Sequence, residues 1–266
     1  MKEYVQPYEN RRDRGLANER VRLTYKSLRK HIVENDEKLS GFDCWGWIPK
    51  SVFDLTLSSQ AYGLLVILVM NTTIPPIANG RKVIPRITET TVLRWLGLTN
   101  SNRRPLITRL LDELVEADII KRYGEEIEIL FPSIKEVKGG FSKIYTSTYK
   151  AILNQSHGIA TLNRLAVYLG IRSQIFEGEK GGPHRTVVYK GYKNEWIGGL
   201  VDLPPATVRN NVRWLIEHEI MAWNMVQNRN KYHNLHYYLA EQFNCDELLS
   251  TVCMELQDGD LLRVVS

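Results

Sequence analysis

The sequence predicts a mostly helical α+β protein: two winged helix-turn-helix domains in tandem, preceded by an N-terminal amphipathic helix. Three observations predict it. The order short helix, polar turn, longer amphipathic helix, apolar hairpin is written twice. It runs once through TETTVLRWLGLTNSNRRPLITRLLDELVEADIIKRYGEEIEILF from Thr88, and again through YKNEWIGGLVDLPPATVRNNVRWLIEHEIMAWNMVQNRNKYHNLHYYL from Tyr192. Each longer helix keeps its apolar residues at helical spacing and its arginines elsewhere. The chain has 266 residues, enough for two domains of about 100 residues and flanking segments. The expected boundaries are 1–41 for a basic arm and helix, 42–136 and 137–243 for the domains, and 244–266 for an acidic tail.

Composition narrows the class. Hydrophobic residues make up 43% and charged residues 24%, ordinary values for a globular protein with a core. The formal net charge is +5 and the sequence pI about 9.0, which points mildly to a polyanionic partner. Nine Lys and Arg against four acids lie before residue 32, so the leader holds the net positive charge. The three cysteines, Cys44, Cys245 and Cys253, are too few and scattered for a disulfide framework and predict a reducing cytoplasm. The most apolar stretch, YGLLVILVM at 62–70, is far short of the roughly 20 residues that cross a bilayer, so no membrane partner is expected.

The elements follow in order. Between Ala17 and Lys38, Val21, Tyr25, Leu28 and Ile32 form one apolar stripe on a charged helix. It either packs on the first domain, or grips phosphates or pairs subunits. Ser58 or Ser59 caps the next helix, whose Ala61, Leu64, Leu65 and Leu68 make it nearly apolar all round. After a loop with Pro75, Pro76, Asn79 and Gly80, KVIPRI supplies a short strand. Thr88 opens a helix with Val92, Trp95 and Leu96 inward, closed at Gly97. A second helix runs to about Glu116 with Ile107, Leu110, Leu111 and Leu114 on its buried face, and a hairpin turns at Tyr123, Gly124 and Glu125.

Residues 132–140 (PSIKEVKGG) read as the linker. A long helix with Ile159, Leu162, Leu165, Ala166 and Leu169 then plays the part of the Ser59 helix. Residues 177–184 read as a flexible loop and RTVVY at 185–189 as a short strand. Trp196, Ile197 and Leu200 mark a helix, and Pro205 suits the first turn of the next one. That helix buries Val208, Val212, Leu215 and Ile216. A longer hairpin follows, with a polar tip at 227–232. Alignment of Ile119 with Ile220 brings Leu114 onto Leu215, while the turns before the two helices differ in length. The six tryptophans (Trp45, Trp47, Trp95, Trp196, Trp214, Trp223) are expected in core or interdomain packing. The segment from Cys245 reads as a helix docking on the second domain or as a partner-binding tail.

A recognition helix reads base edges through donors near its N-terminal end. In the first module that face offers Asn102, Arg103, Arg104, Thr108 and Arg109, with Ser101 beside them; in the second it offers Thr207, Arg209, Asn210 and Arg213. Solvated surface arginines would look the same singly, and it is their context that points to DNA. The hairpins offer Arg122, Arg229 and Lys231 to phosphates. Gly178, Gly181 and Gly182 lack the Lys-Ser/Thr of a phosphate loop. His233 and His236 fall on opposite faces of a strand with no further ligand at metal spacing. The chain is therefore expected to bind and not to catalyse, with no cofactor.

WGWIPKSVFDLTLSSQAYGLLVIL leading into TETTVLRWLGL and LLDELVEADIIKR, followed by the second module, resembles the tandem winged-helix replication initiators of Gram-positive plasmids and related two-module proteins of phages and mobile elements. The resemblance covers roughly residues 45–239. It implies sequence-specific binding of double-stranded DNA at directly repeated origin sites, and recruitment of a host replication protein, for which the acidic tail is the candidate contact. The leader is the candidate contact for a homodimer. A transcriptional or plasmid-maintenance regulator, and a winged-helix adaptor that no longer touches DNA, stay open beside the initiator. Two unlike reading faces on one chain favour asymmetric or directly repeated sites over a perfect palindrome.

Overall fold

The computed structural model describes residues 44–72, 82–99, 101–177, 186–228, 235–257 and 261–264. The expected leader helix, the loop at 75–80, most of the loop at 177–184, and Arg229 and Lys231 lie outside them. The described residues form a mixed α+β fold of eight α-helices and three small antiparallel sheets, within one compact unit, Cys44–Ser266.

The first half opens with β1 (Trp45–Pro49), a 3-10 turn and α1 (Ser59–Met70). The Ser58 hydroxyl caps α1, accepting from the Ala61 N–H at 3.3 Å. β2 (Lys82–Ile84), α2 (Glu89–Trp95), α3 (Arg104–Glu116), β3 (Ile120–Tyr123) and β4 (Glu126–Ile129) follow. Thr88 caps α2, and Gly124 turns the hairpin at φ 61°.

The second half repeats this succession. It comprises β5 (Phe141–Tyr145), α4 (Thr146–Gln155), α5 (Ile159–Ser173), β6 (Val188–Tyr192), α6 (Asn194–Val201), α7 (Pro205–Glu217), β7 (Met221–Asn228) and β8 (Leu235–Glu241). The sheets match as well: the order is β2-β4-β3 in one half and β6-β8-β7 in the other, the latter extended by β9 (Leu261–Val264) on β7.

The helix ends carry the repeat into backbone detail. After α3, Asp118 takes φ 53° and the Ile119 N–H reaches back to the Leu114 carbonyl at 3.1 Å. After α7, Glu219 takes φ 54° and the Ile220 N–H reaches the Leu215 carbonyl at 2.9 Å. Both are left-handed caps with the six-to-one bond that satisfies orphan carbonyls. The alignment of Ile119 with Ile220 is thus a geometric equivalence.

The halves share one core. α1 packs on α5, and β1 pairs antiparallel with β5, Trp47 lying opposite Lys143. Leu64, Leu65 and Leu68 of α1 and Leu162, Leu165 and Leu169 of α5 are fully buried. The stretch 132–140 is tied in at its end, where the Lys50 N–H donates to the Gly140 carbonyl at 3.0 Å.

Three expectations are corrected. The strand expected at 185–189 lies at Val188–Tyr192. Trp45 and Trp196 are exposed, Trp196 to 58%, so neither is core. Ile216, expected in the buried face of α7, is only partly buried and packs at the edge of the core. The β1–β5 ribbon forms although WGWIP carries a glycine and a proline, residues common in turns. The C-terminal segment forms α8 (Cys245–Gln257). It covers the second sheet through Leu248 and Val252, and its Glu255 carboxylate accepts from the Tyr238 hydroxyl at 2.7 Å.

Candidate functional site

α3 is positioned from its buried side. Ile107, Leu110, Leu111 and Leu114 are fully buried, and Pro105 stands in the first turn, where no N–H is missed. The Glu113 carboxylate accepts from both the backbone N–H of Ser58 and, at 2.8 Å, the Ser58 hydroxyl. The cap of α1 and the middle of α3 are thereby one unit. That leaves Asn102, Arg103, Arg104 and Arg109 exposed, at and after the 3-10 turn that leads into the helix. Thr108 is half-buried, and its hydroxyl donates to the Arg104 carbonyl at 3.2 Å.

α7 is held in a corresponding way. Val208 and Leu215 are fully buried and Val212 nearly so. Trp214 lies between the Arg164 guanidinium of α5, 3.8 Å from its ring centroid, and the His218 ring at 4.1 Å. Arg209, Asn210 and Arg213 are exposed, and Thr207 is half-buried. Arg209 and Arg213 are one turn apart and share a face. At the start of α6, the Tyr192 hydroxyl donates to Asn194 at 2.6 Å. Burial pushes that hydroxyl's pKa up, with Arg209 acting in the opposite sense.

The structure brings the named residues together as two separate outward faces, one per half. Arg122 differs from the others. It lies on β3, and its guanidinium pairs with Glu89 at 3.1 Å and Asp112 at 3.6 Å, tying the hairpin to α2 and α3.

Two charged clusters escaped sequence reasoning. Arg172 of α5 is 1% exposed. Its side chain pairs with Glu177, lies 3.5 Å from Glu241 at the end of β8, and donates to the Lys143 carbonyl at 2.8 Å. Glu241 also accepts from the Tyr168 and Thr148 hydroxyls, each at 2.6 Å. Burial raises the Glu241 pKa above the usual carboxylate range, against the pull of Arg172 and the two hydroxyls. Glu177 feels burial too, but Arg172, Tyr145 and Lys143 together hold it below that range. Closed to solvent, Glu241 joins β8 to α4 and α5. A single arginine near a helix end carries no sequence signal for this, since it reads as a side chain reaching out to water.

The second cluster surrounds Lys82. Its ammonium sits 3.3 Å from the Trp47 ring centroid and 5.5 Å from that of Phe131, buried and without a hydrogen-bond partner. Burial lowers its pKa to about 8.

Among the described residues, no three His, Cys, Asp or Glu side chains converge as a metal site, and no helix is long and apolar enough to cross a membrane. No family model, curated protein or solved structure matches the chain.

Proposed function

We propose that the chain binds double-stranded DNA in a sequence-specific manner through two winged helix-turn-helix modules. α2, α3 and the β3–β4 hairpin form one; α6, α7 and the β7–β8 hairpin form the other. The observation that carries this reading is the duplication: in both halves a short helix, a long helix and a hairpin follow one another, the long helix ends in the same left-handed cap, and its outward side displays arginines. α3 and α7 are the reading helices. Arg104 and Arg109 on the first, with Arg103 just before it, and Arg209, Asn210 and Arg213 on the second, offer the donor types that pair with guanine and adenine edges. Because these sets differ, one chain reads two unlike half-sites.

Within that reading, the role is replication initiation on a plasmid or other mobile element, supported by the resemblance of the ordered motifs between Trp45 and Leu239. Binding is tested by selecting duplex sites from a random pool and titrating salt. Two modules neutralising about 6–10 phosphates lose roughly 10³–10⁵ in affinity between about 50 and 200 mM salt. A flat response sinks the DNA reading and leaves an adaptor. Initiation is tested by asking whether the selected sites, cloned with the coding region, sustain replication; repression without replication leaves a regulator.

A further inference from the structure

The two halves meet through equivalent elements. β1 and β5 each lead their half, and they pair antiparallel with the middle residue of one, Trp47, opposite the middle residue of the other, Lys143. α1 and α5 are the next long helices, and Gly63, fifth in α1, meets the backbone of Leu162, fourth in α5. An interface to which both sides contribute the same surface is isologous, and its symmetry is a two-fold axis. A head-to-tail repeat would set one surface of the first half against a different surface of the second. Equivalent strands would not then face each other middle to middle. The axis therefore passes between Trp47 and Lys143 and close to the contact of Gly63 with Leu162.

Each reading helix is tied to this joint in the same way. α3 packs on α1, and α7 on α5. The hairpin after each enters a sheet of matching order, β2-β4-β3 and β6-β8-β7, and the caps at Asp118 and Glu219 fix the same exit from each helix. The axis that exchanges α1 with α5 thus exchanges α3 with α7. The alignment of Ile119 with Ile220 makes Thr108 the counterpart of Arg209, Arg109 that of Asn210, and Asp112 that of Arg213. Shape and direction are repeated while the side chains differ.

A single duplex engaged by two faces related in this way crosses the axis at a right angle, and the symmetry of its site follows that of the protein. Outward from the centre, base pairs then meet α3 and α7 in the same order along each helix. In a direct repeat one of the two orders is reversed.

We propose that one chain reads one site whose two unlike halves are inverted about its centre, an imperfect palindrome that needs no second copy. This rests on duplex reading by α3 and α7 and sets the class of site within it. The test selects duplexes from a random pool with the full chain and with Arg104→Ala, Arg109→Ala, Arg209→Ala and Arg213→Ala, and scores which base pair loses its preference in each. All four arginines are exposed, so their loss leaves the core intact. Each variant lowers the preference at one base pair by about five-fold or more. The base pairs of Arg104 and Arg109 fall in one half, and those of Arg209 and Arg213 in the other. If Arg104 lies nearer the centre than Arg109, Arg209 lies nearer than Arg213; if Arg109 is the nearer, so is Arg213. Where one arginine shifts no base pair, Arg103→Ala or Asn210→Ala takes its place in the order. Opposite orders in the two halves, or two chains sedimenting with one selected site, overturn the proposal and leave the duplex reading standing. A parent chain that selects no sequence overturns the duplex reading and the proposal with it.

Discussion

Gly63 of α1 and Leu162 of α5 meet through bare backbone: a Cβ built on Gly63 would stand 2.1 Å from the Leu162 carbonyl oxygen. The obstacle is backbone inside a helix, so no side-chain rotation relieves it. α1 and α5 are the central helices of the two halves, and this contact sets how closely the halves approach.

Gly63→Ala therefore forces the two helices apart, although alanine is the better helix former. Overpacking of this kind costs about 1–3 kcal/mol or more. Urea unfolding should show a lower midpoint with an unchanged slope. A stabilised Gly63→Ala protein would mean that the halves are not in this contact.

Arg172 and Glu241 form the second joint between the elements of the core. Arg172→Met leaves Glu177 and Glu241 buried without their shared cation, and breaking such a pair from one side costs about 3–5 kcal/mol. Replacing Glu241 with Gln in the same protein should recover part of that loss in urea unfolding. Since burial raises the folded-state pKa of Glu241, its contribution to stability is full below the ordinary carboxylate range and is lost as pH rises through the raised value. The stability difference between the parent and Glu241→Gln should accordingly shift against the parent as pH rises.

Lys82 gives a pH signature at the alkaline end. Its pKa falls from the usual 10.5 to about 8 in the folded chain, so between those values the unfolded chain binds more protons. Stability then rises with pH across that window. Lys82→Met, which keeps the stem against Trp47 and Phe131, should lack this rise, as read from unfolding midpoints of the two proteins at matched pH. Taking the difference between them cancels the tyrosines, which also titrate there.

Equivalent caps predict equivalent substitutions. Asp118 and Glu219 both hold φ near 54°, where a side chain is strained and glycine is not. Glu219→Gly should stabilise the protein by about 1 kcal/mol. Asp118→Gly should stabilise it by less, because aspartate tolerates that region better. Calorimetric melting of both variants checks the order.

The elements legible in the sequence were those fixed by local pattern. The spacing of Ile107, Leu110, Leu111 and Leu114 fixed the buried face of α3, Thr88 and Gly97 bracketed α2, and Gly124 marked the hairpin turn. What stayed hidden depends on residues far apart in the chain. Nothing near Trp45 indicates that its strand pairs with Tyr145, and nothing near Thr148 indicates a hydrogen bond to Glu241, 93 positions away. Trp196 misled because aromatic character suggests burial, whereas its position on α6 faces outward. For the exposed faces of α3 and α7, exposure of the arginines was legible from the helical period, but the pairing of Arg122 with Glu89 and Asp112 was not, since it joins three elements.

That pairing separates Arg122 from Arg209 and Arg213. Arg209 and Arg213 are exposed one turn apart on α7, so Arg209→Ala and Arg213→Ala should each cost about 1–3 kcal/mol on a selected duplex and little on unrelated sequence, which amounts to relaxed specificity. Arg122 is about 29% exposed at its side chain and spends its guanidinium on Glu89 and Asp112. A phosphate could recruit it only by displacing those two carboxylates, at a cost that offsets much of the new contact. Arg122→Ala should therefore leave specificity intact and lower stability by no more than about 1 kcal/mol, as for other part-exposed pairs. Mobility shifts on selected and scrambled duplexes, run beside urea unfolding, place each arginine. If Arg122→Ala relaxes sequence preference while Arg209→Ala and Arg213→Ala do not, the reading surface is the β3–β4 hairpin and not α7.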